Sequence, residues 1–195
     1  MSRLAATLHD FVSRFAESYR LVLVGGLAVS ARTVPRFTRD VDFSVAVTDD
    51  AGAEALVHEA QRFGYLVEAT LEHRGSGRLA TVRLRRDRDP IVDLLFAACG
   101  IEPEIATDAT SLLVLAQAVP VATVGHLIAM KLVSRDARRR PRDEEDLLGL
   151  ARVADQAEWA RAERAVALIE ERGFSRGRDL RAALRHLREL DLAED

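Results

Sequence analysis

This sequence has a single cysteine and lacks clustered histidines and long apolar runs. Its one cysteine, Cys99, can form no internal disulfide and no cysteine-rich metal site. The histidines are scattered without the spacing of metal ligands, which argues against a zinc site. No apolar run approaches the roughly 20 residues that a helix needs to span a bilayer, and the segment MSRLAATLHDFVSRF does not have the pattern of a signal peptide. We therefore expect a cytoplasmic protein without membrane contact.

An excess of charge of either sign is also absent. The 195 residues include 28 basic and 31 acidic ones, which gives a net charge of −3. The whole molecule therefore has no bulk attraction for nucleic acid, and any contact with RNA has to come from a local basic patch. A hydrophobic content of 48% is enough for one sizeable core with a helical appendage.

Two glycines directly after a predicted strand open the most informative stretch, GGLAVSARTVPRFTRDVDF at residues 25–43. The preceding run RLVLV predicts a buried strand. Gly25 and Gly26 let the backbone turn tightly and approach a ligand without a Cβ in the way. Residues 27–31 suit the first turns of a helix, whose free N–H groups would point at bound phosphate. The pattern favours a phosphate-binding turn.

An Asp-x-Asp pair follows, in the strand-like run DVDFSVAV. Residues i and i+2 of a strand face the same side, so we expect Asp40 and Asp42 on one face of a sheet. Mg²⁺ prefers hard oxygen ligands and is usually held by one or two carboxylates plus substrate phosphates. The alternative is a pair of turn or helix-cap carboxylates, but the preceding Gly-Gly and the Arg-x-Thr of Arg36 and Thr38 favour the metal interpretation.

The order strand, Gly-Gly, short helix, Arg-x-Thr, Asp-x-Asp resembles the minimal nucleotidyltransferases of the polymerase-β-like superfamily. More narrowly, it is similar to the toxin-type branch of type IV toxin–antitoxin systems, the AbiEii-like proteins. The wider superfamily commonly has serine at the position of Gly26, where backbone N–H groups can replace the hydroxyl contact to phosphate. The resemblance implies that Gly25, Gly26, Arg36 and Thr38 contribute to nucleotide binding.

Asp93 lies inside the apolar run IVDLLFA, where an unpaired charge would be costly. In the resembled superfamily a third carboxylate on the neighbouring strand completes the metal site and can accept the proton of the attacking hydroxyl. The resemblance thus implies that Asp40, Asp42 and Asp93 are catalytic and converge to hold two Mg²⁺, or Mn²⁺, ions. The alternative is an aspartate at a strand edge that is paired with one of the many arginines.

A lysine on a helix and an arginine-rich turn form a third block, from residue 123 to residue 150. Lys131 shares a helix face with apolar residues, so it either meets the triphosphate, as the matching lysine of the family does, or snorkels to the rim. Asp143 matches the acidic residue that follows this lysine in the family, and it could instead cap its helix with Asp146 as the capping-box partner. The arginines of 135–142 are countered by acids, which leaves a solvated mixed face and an RNA-binding edge both open.

The fold class that we expect is an α+β (α/β) nucleotidyltransferase core, with a small mixed sheet flanked by helices, followed by a C-terminal helical bundle. The core is predicted to span 1–122, and the helical region packed on it 123–195. Apolar periodicity predicts helices at 4–17, 51–63, 124–134, 143–154, 157–172 and 178–190, and strands at 20–24, 41–47, 65–71, 79–84, 91–97, 112–115 and 120–122.

The activity implied by the resemblance is metal-dependent transfer of a nucleoside monophosphate from a nucleoside triphosphate to an acceptor hydroxyl. The acceptor would be RNA, such as a tRNA end, or a protein, in a toxin–antitoxin setting with a cognate antitoxin. Lys131 would neutralise charge on pyrophosphate, and Arg36 would do the same or brace the Asp-x-Asp strand by an ion pair. The alternatives are an adenylyltransferase of the aminoglycoside or lincosamide type and a non-catalytic nucleotide-binding module, against which the complete carboxylate set argues.

Overall fold

A computed structural model describes residues 2–134 and 142–194, with two compact units. The first unit holds the described residues up to 27 together with 37–98 and 102–122. The second holds 28–36, 99–101 and the described residues from 123 onward. The division into domains at 122 and 123 stays a prediction, because the second unit also takes in two short segments from earlier in the chain.

The described residues of the first unit form a seven-stranded mixed sheet with the strand order β3-β4-β5-β2-β1-β7-β6. Strand β2 runs parallel to β5 and β1 parallel to β7, whereas the other neighbouring pairs are antiparallel. The strands are β1 (Leu21–Val24), β2 (Val41–Val45), β3 (Leu66–Glu72), β4 (Leu79–Arg85), β5 (Val92–Leu95), β6 (Thr110–Val114) and β7 (Gln117–Val121).

Helices α1, α3 and α4 belong to the first unit and α5 to α8 to the second, while α2 begins in the first and continues into the second. Their bounds are α1 (Arg3–Phe15), α2 (Gly25–Arg32), α3 (Asp50–Arg62), α4 (Glu102–Asp108), α5 (Val124–Ser134), α6 (Arg142–Ala151), α7 (Gln156–Glu171) and α8 (Leu180–Glu194). None of the helices in these described ranges is long and apolar enough to cross a membrane.

The mixed sheet and its helices confirm the predicted fold class. The predicted elements are present with ends shifted by a few residues, and α4 is an addition that the sequence-based reasoning missed. This helix has only seven residues, which is too short for a helical period to stand out.

The core of the first unit decides which face of the sheet carries the polar residues. Phe11 of α1 is fully buried and stacks on Phe43 of β2, with 5.4 Å between ring centroids. The ring of Tyr65 packs edge-on against that of Phe11, with 5.4 Å between centroids. Since successive residues of a strand point to opposite faces, the contact of Phe43 with α1 places Asp42 on the other face of the sheet.

The second unit is a set of closely packed helices, in which Gly125 marks the tightest approach. Helix α5 contacts α6, α7 and α8. A Cβ on Gly125 would overlap the carbonyl oxygen of Glu158 and lie 2.9 Å from the backbone nitrogen of Ala162, both on α7. The absence of a side chain at residue 125 therefore allows the backbones of the two helices to meet.

Replacing Gly125 by alanine should destabilise the protein by roughly 1–3 kcal/mol, because the methyl group has to push α7 away. Gly149 is the matched control, since it is also helical but a Cβ there would have its nearest neighbour, Thr33, at 3.9 Å. Gly149→Ala should be neutral or stabilise by up to about 1 kcal/mol through helix propensity. Urea unfolding measures both, and equal losses for the two variants would contradict the packing of α5 on α7.

Candidate active site

A row of charged side chains crosses three adjacent strands of the sheet. Asp42 of β2 is the register partner of Asp93 in β5, and Asp93 is the register partner of Arg83 in β4. Register partners on neighbouring strands point to the same face, so the two carboxylates and the guanidinium lie side by side. Asp40 was expected within the strand, but β2 begins at Val41. Its charge interactions with Asp93 and Arg83 nevertheless place Asp40 near this row.

Asp93 is held by Arg83 through two parallel hydrogen bonds. The Nε of Arg83 donates to Oδ1 of Asp93 at 2.9 Å, and Nη2 donates to Oδ2 at 2.7 Å. Asp93 is buried in an otherwise apolar strand, where a carboxylate needs a partner. The pairing with an arginine, which was the alternative interpretation of Asp93, thus describes its contact in this structure. Its role as a metal ligand stays a prediction.

The three acids Asp40, Asp42 and Asp93 form an acidic row, and their charges affect the pKa values of Asp40 and Arg83. Burial raises the pKa of Asp40, and the charge of Asp93 raises it further, while three nearby arginines, Arg83 among them, act in the opposite direction. The hydrogen bonds to Asp93 raise the pKa of Arg83 above its usual range, with burial acting against them and the charges of Asp93, Asp40 and Asp42 adding to the rise. Arg83 is therefore a permanent positive charge within a cluster of three acids.

Gly25 brings the backbone directly against the Asp42 carboxylate. Its φ is +65°, and a Cβ built on it would overlap the carboxylate of Asp42. The residue thus needs both the backbone freedom and the lack of a side chain that glycine has. Helix α2 begins at Gly25, and Gly26 and Thr38 are half-buried. That these residues bind phosphate stays a prediction.

The acids supply the right atoms for Mg²⁺, because carboxylate oxygens are hard ligands. In residues 2–134 and 142–194, however, no three histidine, cysteine, aspartate or glutamate side chains are close enough together to hold a metal ion. That Asp40, Asp42 and Asp93 converge to hold divalent cations therefore stays a prediction. In this structure it is Arg83 that supplies positive charge next to Asp93.

A second charged cluster lies in the second unit and centres on Asp146. The Nζ of Lys131 lies 2.6 Å from Oδ1 of Asp143 and 2.7 Å from Oδ2 of Asp146. Arg36 adds two bonds to Asp146, from Nε to Oδ1 at 2.5 Å and from Nη2 to Oδ2 at 2.6 Å. The Asp146 side chain is 1% exposed and that of Lys131 is 13% exposed. Lys131 therefore does not snorkel to the rim but lies between two acids.

This cluster changes the interpretation of the third sequence block. Helix α6 begins at Arg142, so Asp143 lies in its first turn, and its carboxylate accepts a hydrogen bond from Lys131. The other oxygen of Asp143 is buried without a hydrogen-bond partner in the described part of the chain. Asp146 binds Arg36 and Lys131, not a helix cap. The capping-box alternative is therefore wrong, while the nucleotide-binding roles of Lys131 and Asp143 stay predictions.

Arg36 forms an ion pair with Asp146, a partner that neither of the two sequence-based alternatives for Arg36 included. The arginines at 135, 138, 139 and 140 lie outside the described residues. Sequence reasoning missed Arg83 altogether and gave Asp146 the wrong partner. The signal for Arg83 was the alternation in LATVRLR, which places Arg83 on the polar side of β4, but nothing local names its partner on β5.

Asp146→Asn should destabilise the protein at neutral pH and flatten its acid unfolding. Burial raises the pKa of Asp146, but the hydrogen bonds from Arg36 and Lys131 and their charges outweigh it, so the net shift is downward from 3.8. The stabilisation from a lowered carboxyl pKa is complete above the unfolded value near 4 and is lost as the pH falls below it. Urea unfolding should show a loss of about 3–5 kcal/mol at pH 7 and a shallower decline below about pH 4 than in the wild type.

The control for this variant is Asp50→Asn, because Asp50 pairs with Arg78 at 3.4 Å with both side chains substantially exposed. It should cost less than about 1 kcal/mol, as exposed ion pairs do. An acid limb of Asp146→Asn as steep as that of the wild type would contradict the assignment of Asp146.

Gly25→Ala should destabilise the protein more than Gly77→Ala. Both glycines have a positive φ, +65° and +68°, but a Cβ on Gly77 would have no atom within 4 Å. Gly77→Ala therefore isolates the backbone strain, roughly 1 kcal/mol or somewhat more, and Gly25→Ala adds the overlap with Asp42, roughly 1–3 kcal/mol. Denaturant unfolding of the two variants measures the difference, and equal losses would mean that Asp42 does not press on the turn.

The chain is similar to several solved structures. The lincosamide antibiotic adenylyltransferase LnuA, bound to lincomycin, has 12% identity and a TM-score of 0.50 over 79% of this chain and 98% of that chain. An antigenic nucleotidyltransferase-like protein from Paracoccidioides brasiliensis has 18% identity and a TM-score of 0.49 over 93% and 90%. The antibiotic-resistance factor ANT(2'')-Ia has 19% identity and a TM-score of 0.47 over 97% and 95%. The similarity to LnuA indicates a shared fold.

Comparison with curated protein sequences finds no match. A family model described as nucleotidyl transferase AbiEii toxin, type IV TA system, matches residues 7–195, which is nearly the whole chain. This match confirms the resemblance that the sequence motifs indicated. The chain belongs to the AbiEii family of nucleotidyltransferase toxins of type IV toxin–antitoxin systems.

Proposed function

We propose that this nucleotidyltransferase transfers a nucleoside monophosphate from a nucleoside triphosphate to an acceptor hydroxyl, with Asp40, Asp42 and Asp93 holding divalent cations. The observation that carries the proposal is the pairing of Asp42 with Asp93 as register partners on adjacent parallel strands. A sheet that puts two carboxylates side by side loses stability through their repulsion. Two neighbouring carboxylates are useful, however, where a protein has to bind a divalent cation.

The residues of the acidic row would each have a separate task. Mg²⁺ held by these carboxylates would supply positive charge to the attacking and leaving oxygens of an in-line displacement. Asp93 would accept the proton of the acceptor hydroxyl while the hydroxyl oxygen bonds to the α-phosphorus. The bond from the α-phosphorus to the bridging oxygen breaks, and pyrophosphate leaves with its electron pair. Gly25 would let the backbone approach a phosphate at the start of α2.

Lys131 and Arg36 would neutralise charge on the triphosphate, but their present contacts impose a condition. Both are engaged by Asp146, and Lys131 also by Asp143. Withdrawing the cation from a buried ion pair leaves the charge of its partner buried and unpaired, which is costly. They would therefore act on the nucleotide while still bonded to these acids. The Lys131 ammonium has three N–H donors and contacts two carboxylates here. The part of Asp143 would be to orient Lys131.

The acceptor in this proposal is RNA, such as a tRNA end, and a cognate antitoxin is the expected partner of the system. The support is membership of a toxin family, together with the arginines at 135, 138, 139, 140 and 142. Each phosphate neutralised by an arginine releases counterions, so transfer to RNA should fall steeply as salt rises. A small-molecule acceptor would show little such dependence.

The direct test is incubation of the protein with α-labelled ATP, CTP, GTP and UTP, Mg²⁺ and separate pools of tRNA, total protein and aminoglycosides with lincosamides. We expect label in tRNA and release of pyrophosphate. Asp42→Asn should lower the rate by more than about a hundredfold, since losing a metal ligand costs more than losing an outer-shell partner. Asp50→Asn on α3 is the control and should keep the wild-type rate.

Other outcomes separate the alternatives. Label in the antibiotics alone would make the protein a small-molecule adenylyltransferase, and label in protein alone would move the acceptor from RNA to a side chain. Bound nucleotide without transfer to any pool would show a non-catalytic binding module. Transfer that is unchanged in Asp42→Asn would contradict the role of the acidic row.

A further inference from the structure

Arg83 is the one member of the charged row that the transfer reaction does not use. It stands on β4 directly across from Asp93, and its two hydrogen bonds cover one side of that carboxylate. A carboxylate offers about four lone-pair positions, of which these bonds take two. The guanidinium therefore sits on the acid that would complete a metal site.

The charges of the row make this position consequential. Asp40, Asp42 and Asp93 together interact with Arg83, as their joint effect in raising the Arg83 pKa shows. A divalent cation that approaches the same carboxylates meets the repulsion of the Arg83 guanidinium. In a partly buried site this repulsion is several times stronger than in water.

We propose that Arg83 is a built-in competitor of the divalent cation, which pairs with Asp93 while the site holds no nucleotide and gives up that carboxylate when cation and triphosphate enter together. The inference rests on the proposed function, since it concerns the same three acids. The triphosphate supplies the negative charge that offsets the repulsion by Arg83. Cation binding is thereby tied to the presence of nucleotide.

The surroundings of Arg83 allow it to move. Its side chain is 43% exposed, whereas that of Asp93 is 11% exposed. A guanidinium near water can turn outward at little desolvation cost, but the carboxylate cannot follow it. The competitor is thus the mobile partner, and the acid is the fixed one.

A matched residue lies two positions further along the same strand. Arg85 belongs to the same face of β4 by the alternation of the strand, but its guanidinium pairs with Glu68 of β3, with Nη2 3.1 Å from Oε2. Removing Arg85 takes away the same charge from the same face without freeing Asp93. The two arginines therefore separate a specific contact from a general change of charge.

The experiment is a titration of the full-length, nucleotide-free protein with Mn²⁺, followed by the electron paramagnetic resonance signal of free Mn²⁺. Arg83→Gln should bind Mn²⁺ about tenfold more tightly than the wild type, because a charge next to the cation is removed from a partly buried site. Arg85→Gln should change the affinity by less than about threefold, because Arg85 is paired with Glu68 and not with a carboxylate of the cation site, and both partners are exposed.

Thermal unfolding gives a second readout. In EDTA, Arg83→Gln should unfold about 5–10 °C below the wild type, because Asp93 is left unpaired beside Asp42. Saturating Mn²⁺ should raise its midpoint more than it raises that of the wild type. If Arg83→Gln fails to fold in EDTA, Arg83→Lys is the second variant. It keeps the charge but loses the two-point contact with Asp93. It should therefore bind Mn²⁺ more tightly than the wild type, by less than the roughly tenfold expected of Arg83→Gln.

The opposite result would overturn the proposal. If Arg83 supports the site by orienting Asp93, Arg83→Gln or Arg83→Lys should bind Mn²⁺ about 10–100-fold more weakly, as loss of an outer-shell partner does. An affinity equal to that of the wild type would also contradict competition. Asp42→Asn distinguishes this failure from failure of the proposed function: if it binds Mn²⁺ as well as the wild type, the acidic row is not the cation site at all.

Discussion

Two carboxylates held side by side in a sheet are the constraint on which the first unit depends. Asp42 and Asp93 are fixed by the hydrogen-bond register of β2 and β5 and cannot move apart. Their repulsion has to be offset, and in the structure Arg83 offsets it from the next strand, where the strand order places it. The aromatic packing of Phe11 on Phe43 fixes the other face of β2 and so keeps the acids on theirs.

The second unit also holds buried charges together, here two acids and two cations. Asp146 is almost fully buried and receives two cations, Arg36 and Lys131, while Asp143 shares Lys131. Buried charges persist when each is paired and hydrogen-bonded, and removal of one partner leaves the others uncompensated. The two cations that the family resemblance assigned to the nucleotide are thus held in fixed positions by acids of α6. Their orientation is a property of the fold before any ligand arrives.

The residues of the candidate site that can be singled out from the sequence are those whose chemistry is local. Gly25, Asp40 and Asp42 stand out because a turn, a helix start and an alternating strand lie within one short segment. Arg83 did not, because its pairing with Asp93 depends on the register of β4 against β5, which no short pattern contains. The misassigned role of Asp146 has the same origin, since Arg36 is its partner from a distant part of the chain. The missed helix α4 was simply too short for its period to be visible.

If Asp40, Asp42 and Asp93 form one cation-binding face of the sheet, anomalous diffraction from crystals grown with Mn²⁺ and a non-hydrolysable nucleoside triphosphate shows it most directly. We expect anomalous density bonded to the Asp40 and Asp42 carboxylates, with Asp93 turned to the cation and Arg83 displaced from it. Density bonded to other residues, or none at Asp42 while nucleotide is bound, would mean that these acids do not hold the cation.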